Sequence, residues 1–189
     1  MELILASSSP YRRQLLERLQ LPFRVEKPQV DESARAQEEP RDLVARLAEQ
    51  KAMQVASGNP QAWVIGADQV AVCGQDILGK PGTPEKARSQ LARMQGQRID
   101  FLNGLTLVGP GFRRTRCEPY SVWLRPLDEQ SIARYVEADQ PMDCAGSFRS
   151  EGLGISLVER MAGEDPNALM GLPLVALCEM LREAGWRLP

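Results

Sequence analysis

Asp68 stands where a carboxylate is least expected. It interrupts Trp63-Val64-Ile65-Gly66-Ala67-Asp68-Gln69-Val70-Ala71-Val72, an almost wholly apolar run that reads as a central strand buried on both faces. A lone carboxylate in such a run is costly to bury unless it is paired, protonated or bound to a metal, which makes Asp68 the leading catalytic candidate. Lys51 is a second interruption. Leu43, Leu47, Lys51 and Val55 fall four apart on one helical face, so the lysine either snorkels to solvent or turns its ammonium into a cleft to meet an anion. Asp31 and Glu32 are adjacent carboxylates in a polar loop after a short extended segment, Leu21 to Val25. They read either as a solvated acidic loop or as part of a site. Lys80, in Gly79-Lys80-Pro81, belongs to no Walker loop but can reach a phosphate from a tight turn.

The opening stretch adds a fifth candidate. Leu3-Ile4-Leu5-Ala6 ends in Ser7-Ser8-Ser9, and Pro10 follows at the position of a first helical residue, with Ser9 as its N-cap. Arg12 and Arg13 then lie near the positive end of a helix dipole, the unfavourable end for cations. Amide N–H groups, serine hydroxyls and guanidinium forks gathered there suit a phosphate, although a solvated arginine pair on an ordinary surface helix has the same sequence.

Composition narrows the chemistry. Histidine is absent, which removes His-based triads, His general bases and His metal ligands. The four cysteines are widely spaced, with no C-x-x-C pair, so neither a zinc ribbon nor a redox motif is expected and the thiols read as reduced. A net charge of −2 gives no global basic field, so nucleic acid is not an expected partner. Glu2 precedes an apolar run far shorter than a signal peptide requires, and no stretch approaches the roughly twenty apolar residues of a membrane span, so a cytoplasmic protein without a membrane partner is expected. At 189 residues the prior is one domain, 1–189, or one domain with two lobes.

The elements that must position these residues follow from punctuation and period. Pro40 opens a helix that Gly58 closes. Thr83 and Pro84 start another, with Ala87, Leu91 and Met94 on its apolar face and Gly96 at its end. Arg98 to Val108 and Cys117 to Leu124 read as an antiparallel pair around Gly109-Pro110-Gly111. Asp128 caps a helix carrying Ile132, Tyr135 and Val136. Residues 141–152 lack a clear period and read as a loop over a site. Gly154 to Val158 reads as a strand. Asp165-Pro166-Asn167 and Met170-Gly171 read as turns. Pro173 opens a last helix with Leu174, Val175, Leu177, Cys178 and Leu181 as its core side, and Gly185 closes it.

Several spaced motifs together resemble the Maf-like nucleoside triphosphate pyrophosphatases. They are Leu5-Ala6-Ser7-Ser8-Ser9-Pro10-Tyr11-Arg12-Arg13, Val30-Asp31-Glu32, Ala48-Glu49-Gln50-Lys51-Ala52, Ile65-Gly66-Ala67-Asp68-Gln69, Gly79-Lys80-Pro81, Ala145-Gly146-Ser147-Phe148 and Met170-Gly171-Leu172-Pro173. Each is weak alone; their order and spacing are specific. The resemblance implies an α/β fold, with an elongated mixed sheet, flanking helices and two lobes around a deep cleft, as in the Ham1 inosine triphosphatase-like folds. It implies hydrolysis of a nucleoside triphosphate between the α- and β-phosphates with a divalent cation, Mg²⁺ or Mn²⁺, and a homodimer.

Carried over by position, Asp68 becomes the proton acceptor, and Glu32 with Asp68 the metal-side carboxylates. Ser7, Arg12, Arg13, Lys51 and Lys80 become phosphate-binding. A triphosphate carries about four negative charges, and its hydrolysis is catalysed chiefly by positioning and charge neutralisation. Oxygen ligands and no histidine suit a hard ion. Tyr11, Gln69 and Glu151 differ from the Arg, Thr and Gln of dTTP/UTP-directed members and resemble the branch acting on 7-methyl-GTP, a house-cleaning activity. That branch is best matched with Trp at Tyr11. A cationic N7-methylguanine suits an aromatic face and a carboxylate. Cys144, where dTTP-directed members often carry Lys, reads as a branch difference with no nucleophilic role. The alternatives are a dTTP/UTP-directed pyrophosphatase and a nucleotide-sensing inhibitor of septum formation and cell division acting by protein binding.

Overall fold

Alternation along one strand sets the architecture. The computed structural model describes residues 1–189, and in it β3 spans Trp63–Cys73. Its even positions as far as Asp68 face the helix α2, Pro40–Gly58: Val64 packs with Ala52 and Val55 of that helix and with Ile4 and Ala6. Its odd positions, Trp63, Ile65 and Ala67, pack with Leu15 and Leu16 of α1, Pro10–Glu17, and with Leu177, Met180 and Leu181 of α5, Leu174–Glu183. A strand buried on both faces has no solvent side, which is why its sequence is apolar almost throughout.

Seven strands form one mixed sheet. β1, Leu3–Ala6, pairs in parallel with β2, Arg24–Glu26, and with β3. The order is β2-β1-β3-β5-β6-β7, with β4, Asp76–Leu78, antiparallel on β3. β5, Arg98–Gly109, and β6, Phe112–Leu124, are joined by a tight turn, and β7, Val158–Gly163, runs antiparallel to β6. By its contacts the chain divides into two compact units. The first holds Met1–Gln69, Asn103–Glu118 and Asp165–Pro189; the second holds Val70–Leu102 and Pro119–Glu164. No helix is long and apolar enough to cross a membrane.

Helices start where the sequence marks them. Ser9 caps α1 with its hydroxyl, Thr83 caps α3, Pro84–Met94, and Asp128 caps α4, Glu129–Asp139. Four expectations are corrected. Gly154 to Leu157 is a 3-10 turn, Leu153–Leu157, and the strand begins only at Val158, opposite Leu124. The backbone there is engaged elsewhere: the Gly154 N–H donates to Asp139 Oδ2 at 3.3 Å, and the Leu157 carbonyl accepts from the Arg125 N–H at 2.9 Å. β6 starts five residues before Cys117 because its pairing resumes directly after the turn at Gly111. β2 spans Arg24–Glu26, starting three residues later and ending one residue later than the expected Leu21 to Val25, where its register meets Ile4 to Ala6. In α5 the core side is Leu174, Ala176, Leu177, Met180 and Leu181, and Val175 is 59% exposed. The Val175 N–H is tied to Asp165 Oδ2 at 2.7 Å, which fixes the helix's rotation at its first turn.

Candidate active site

Gly66 is the contact that brings the chemistry together. It lies on the α2 face of β3, two residues before Asp68. A Cβ built on it would fall 2.1 Å from the Ala48 carbonyl oxygen and 2.8 Å from the Ala52 nitrogen. Only a residue without a side chain lets α2 lie this close to the strand. One turn along the helix from Ala48, Lys51 then faces Asp68 across the same interface. Both are buried, and Lys51 Nζ donates to Asp68 Oδ1 at 2.7 Å. The same ammonium is 2.8 Å from Glu32 Oε1. Lys51 therefore does not snorkel; two carboxylates converge on its charge. Burying a lysine without such partners would cost several kcal/mol (roughly).

Glu32 arrives on a polar loop, residues 27–39, that has no regular structure of its own. Arg46 of α2 ties that loop down. Its Nε and one Nη reach the two carboxylate oxygens of Glu38 at 2.5 and 2.7 Å, and the latter nitrogen also donates to the Ser33 carbonyl at 3.0 Å. The Glu38 carboxyl is held well below its ordinary range, at about 2, chiefly by these Arg46 hydrogen bonds and then by the Arg35 N–H.

On the other side of β3 a second group forms at the start of α1. Ser7 is buried at the end of β1, and its Oγ accepts from the Ser9 N–H at 3.1 Å and from an Arg12 Nη at 3.5 Å. Arg12 Nε donates to the Gly171 carbonyl at 2.8 Å. Burial pushes the Arg12 guanidinium's pKa down, while the charges of Asp68 and then Glu32 act against that shift. Gln69, one residue after Asp68, points the opposite way, and its Nε2 donates to the carbonyls of Ala168 and Leu169 at 2.8 and 3.3 Å. Tyr11 is half-buried beside Arg12 in the chain. Arg13 turns to the helix surface and pairs with Glu17 at 3.0 Å, both side chains more than half exposed.

Lys80 and Glu151 belong to the second unit. Lys80 is exposed in a loop secured at both ends: the Gly79 carbonyl accepts from the Gly146 N–H and from Gln90 Nε2, each at 3.2 Å, and the Gly82 N–H donates to the Met142 carbonyl at 3.0 Å. The Ala145-Gly146-Ser147-Phe148 segment is pinned in turn. Tyr135 donates its hydroxyl to the Ser147 carbonyl and accepts from the Arg149 N–H, both at 3.0 Å, and Ser147 Oγ donates to Gln90 Oε1 at 2.6 Å. Burial is the main cause that raises the Tyr135 phenol above its ordinary value. Glu151 lies 3.6 Å from Arg149 Nε and accepts from Ser150 Oγ at 3.3 Å.

No set of three or more Asp, Glu or Cys side chains converges for a metal. The donor set that does converge is the Asp68 and Glu32 pair, with the Lys51 ammonium between them. A Mg²⁺-like ion commonly takes one or two carboxylates and completes its shell with water and substrate phosphates, so this pair fits such an ion.

The family described as Maf-like protein matches residues 2–184. The chain belongs to the Maf family. Its relatives include a protein of Nitrosococcus oceani named 7-methyl-GTP pyrophosphatase, 55% identical over 97% of this chain and 94% of that protein. A protein of Pseudomonas aeruginosa with the same name is 53% identical, covering 100% of this chain and 99% of that one. Among solved structures, the Staphylococcus aureus Ham1 protein is 14% identical with a TM-score of 0.48, covering 66% of this chain and 72% of that chain.

Within this Maf protein the structure brings Lys51, Asp68 and Glu32 into one cluster and Ser7, Arg12 and Gln69 around the α1 start. Sequence reasoning misses three supports. Arg46 and Glu38 carry a signal only in their charges, eight residues apart across a loop–helix boundary. Gly171 acts through its carbonyl, which no side-chain pattern records. Gln90 holds the Gly79 and Ser147 segments, yet in sequence it is an ordinary polar helix position.

Proposed function

We propose that this Maf protein hydrolyses the α–β phosphoanhydride of 7-methyl-GTP, releasing the monophosphate and pyrophosphate. The observation that carries this reading is the full-length identity, 55% and 53%, to two proteins named 7-methyl-GTP pyrophosphatase. The site chemistry supports it. Asp68 is the carboxylate that accepts the proton of the attacking water, a role it can fill without any imidazole. Lys51, 2.7 Å from it in the free protein, is a phosphate-binding cation that offsets charge developing on the phosphate oxygens. Ser7, Arg12 and the first amides of α1 receive phosphate oxygens, and Lys80 and Arg13 are further cationic contacts. Glu32 and Asp68 would hold Mg²⁺ or Mn²⁺, which when bound neutralises phosphate charge and acidifies a coordinated water.

Selectivity rests on Tyr11, Gln69 and Glu151. Both groups facing the Gln69 amide nitrogen are carbonyls, so its oxygen is the atom left to accept from a base. The cationic 7-methylguanine ring favours an aromatic face and a carboxylate, which Tyr11 and Glu151 supply. The test is a panel of 7-methyl-GTP, GTP, dTTP and UTP with pyrophosphate detection, with and without Mg²⁺ or Mn²⁺. The highest kcat/KM is expected for 7-methyl-GTP, and faster turnover of dTTP overturns the substrate. Asp68→Asn is expected to lose about 100-fold or more in kcat; full retention overturns the mechanism.

A further inference from the structure

The Lys51 ammonium occupies the point on which Asp68 and Glu32 converge, 2.7 and 2.8 Å from their oxygens. Lys51 has little freedom to leave it unprompted. Its stem lies in a face of α2 whose neighbours Leu47, Ala48, Ala52 and Val55 are all buried, and the side chain itself is 6% exposed. The local charge is already balanced: two carboxylates face Lys51 and the Arg12 guanidinium, which is coupled electrostatically to both. Arg46 is spent on Glu38.

We infer that Lys51 is the resident cation of these carboxylates, so that the free protein excludes a divalent ion and accepts it only together with the nucleotide. The inference rests on the reading of Asp68 and Glu32 as the metal-side pair. A divalent ion added alone would face a buried ammonium and would leave two positive charges uncompensated beside the buried Asp68 carboxylate, whose side chain is 11% exposed. A triphosphate brings about four negative charges, enough to balance the ion and to draw Lys51 from the carboxylates to phosphate oxygens. Lysine suits this better than arginine: its compact charge on a flexible stem exchanges one anionic partner for another without the planar fork that locks a guanidinium to a carboxylate. The same residue thus keeps the empty site neutral and serves the loaded one.

The test is Mn²⁺ binding to the full chain, read by loss of the free-ion electron paramagnetic resonance signal. It is run with Mn²⁺ alone and with Mn²⁺ plus the α,β-methylene analogue of 7-methyl-GTP, whose bridging carbon blocks cleavage, each against the same mixture without protein so that Mn²⁺ held by the free analogue is subtracted. Wild-type protein is expected to bind Mn²⁺ weakly alone and at least about tenfold more tightly with the analogue, since the ion then meets compensating charge. Lys51→Met keeps the apolar stem and removes the charge; it is expected to bind Mn²⁺ alone at least about tenfold more tightly than wild type. Lys51→Arg is expected to stay as weak as wild type. Tight wild-type binding of Mn²⁺ without nucleotide overturns the inference, as does a Lys51→Met affinity equal to wild type. If Lys51→Met does not fold, the two wild-type titrations decide alone. Because the readout is binding, its failure is separate from failure of the substrate panel, which reads turnover.

Discussion

Gly66→Ala should damage both stability and turnover, through one movement. The added methyl would lie 2.1 Å from the Ala48 oxygen, short by about 1.3 Å of the 3.4 Å at which ordinary contact begins. The obstacle is backbone of α2 on one side and backbone of a central strand on the other, so the helix must move away by about that amount. Overpacking of this kind costs about 1–3 kcal/mol. In a chain of this size each kcal/mol lowers Tm by about 2–4 °C, so a fall of about 2–12 °C is expected. The same displacement lengthens the 2.7 Å Lys51–Asp68 contact beyond hydrogen-bond range. A misplacement near 1 Å at a reacting group can cost about 100-fold in rate, so kcat should fall by one to two orders of magnitude, roughly. Thermal melting by circular dichroism gives the first quantity, and pyrophosphate release well below the variant's Tm gives the second. An unchanged Tm refutes the close-approach argument. A lowered Tm with unchanged kcat refutes the claim that strand–helix spacing sets the site.

Arg12→Lys keeps the charge but loses the Nε–H donated to the Gly171 carbonyl at 2.8 Å; KM for the triphosphate should rise about tenfold in steady-state assays. Arg13→Ala removes an exposed i,i+4 pair with Glu17, and urea unfolding should register no more than about 0.5 kcal/mol. Glu38 titrates in the folded protein at about 2 instead of its ordinary 4.5, because Arg46 hydrogen-bonds its ionised form. A depressed folded pKa contributes stability that is complete above the ordinary value and drains away as pH falls toward 2. Glu38→Gln should flatten that acid limb in denaturant unfolding measured across the interval, and an unchanged limb refutes the assignment to this pair.

Much of the scaffold is legible because proline and capping residues mark helix starts locally. Pro40 to Gly58, and Thr83 followed by Pro84, need no tertiary information. Features decided by distant backbone are not legible. Gly154 to Leu157 has a strand-like composition, but Asp139 and Arg125 claim its backbone groups from elsewhere in the chain. Val175 looks like a core residue until Asp165 fixes the rotation of α5. Lys51 shows the limit at the site itself. The period of α2 tells that the lysine shares a face with Leu47 and Val55, and the apolar run of β3 tells that Asp68 is buried. Neither reveals that the two faces meet. That depends on Gly66, whose missing side chain sets the spacing, and its role is visible only once both elements are in place.

The adjacency of Asp68 and Gln69 explains how one short segment serves two tasks. Successive residues of a strand point to opposite faces. Asp68 therefore meets Lys51 on the α2 face, while Gln69 binds the Ala168 and Leu169 carbonyls on the face packed by α1 and α5. The sheet keeps the two sets of hydrogen bonds apart, so a change at Gln69 has no direct path to the Lys51–Asp68 contact. Charge is not kept apart in the same way: Arg12, hydrogen-bonded to Gly171 on the Gln69 side, still feels Asp68 and Glu32. Electrostatics alone thus links the start of α1 to the carboxylates, acting across the strand without requiring it to move.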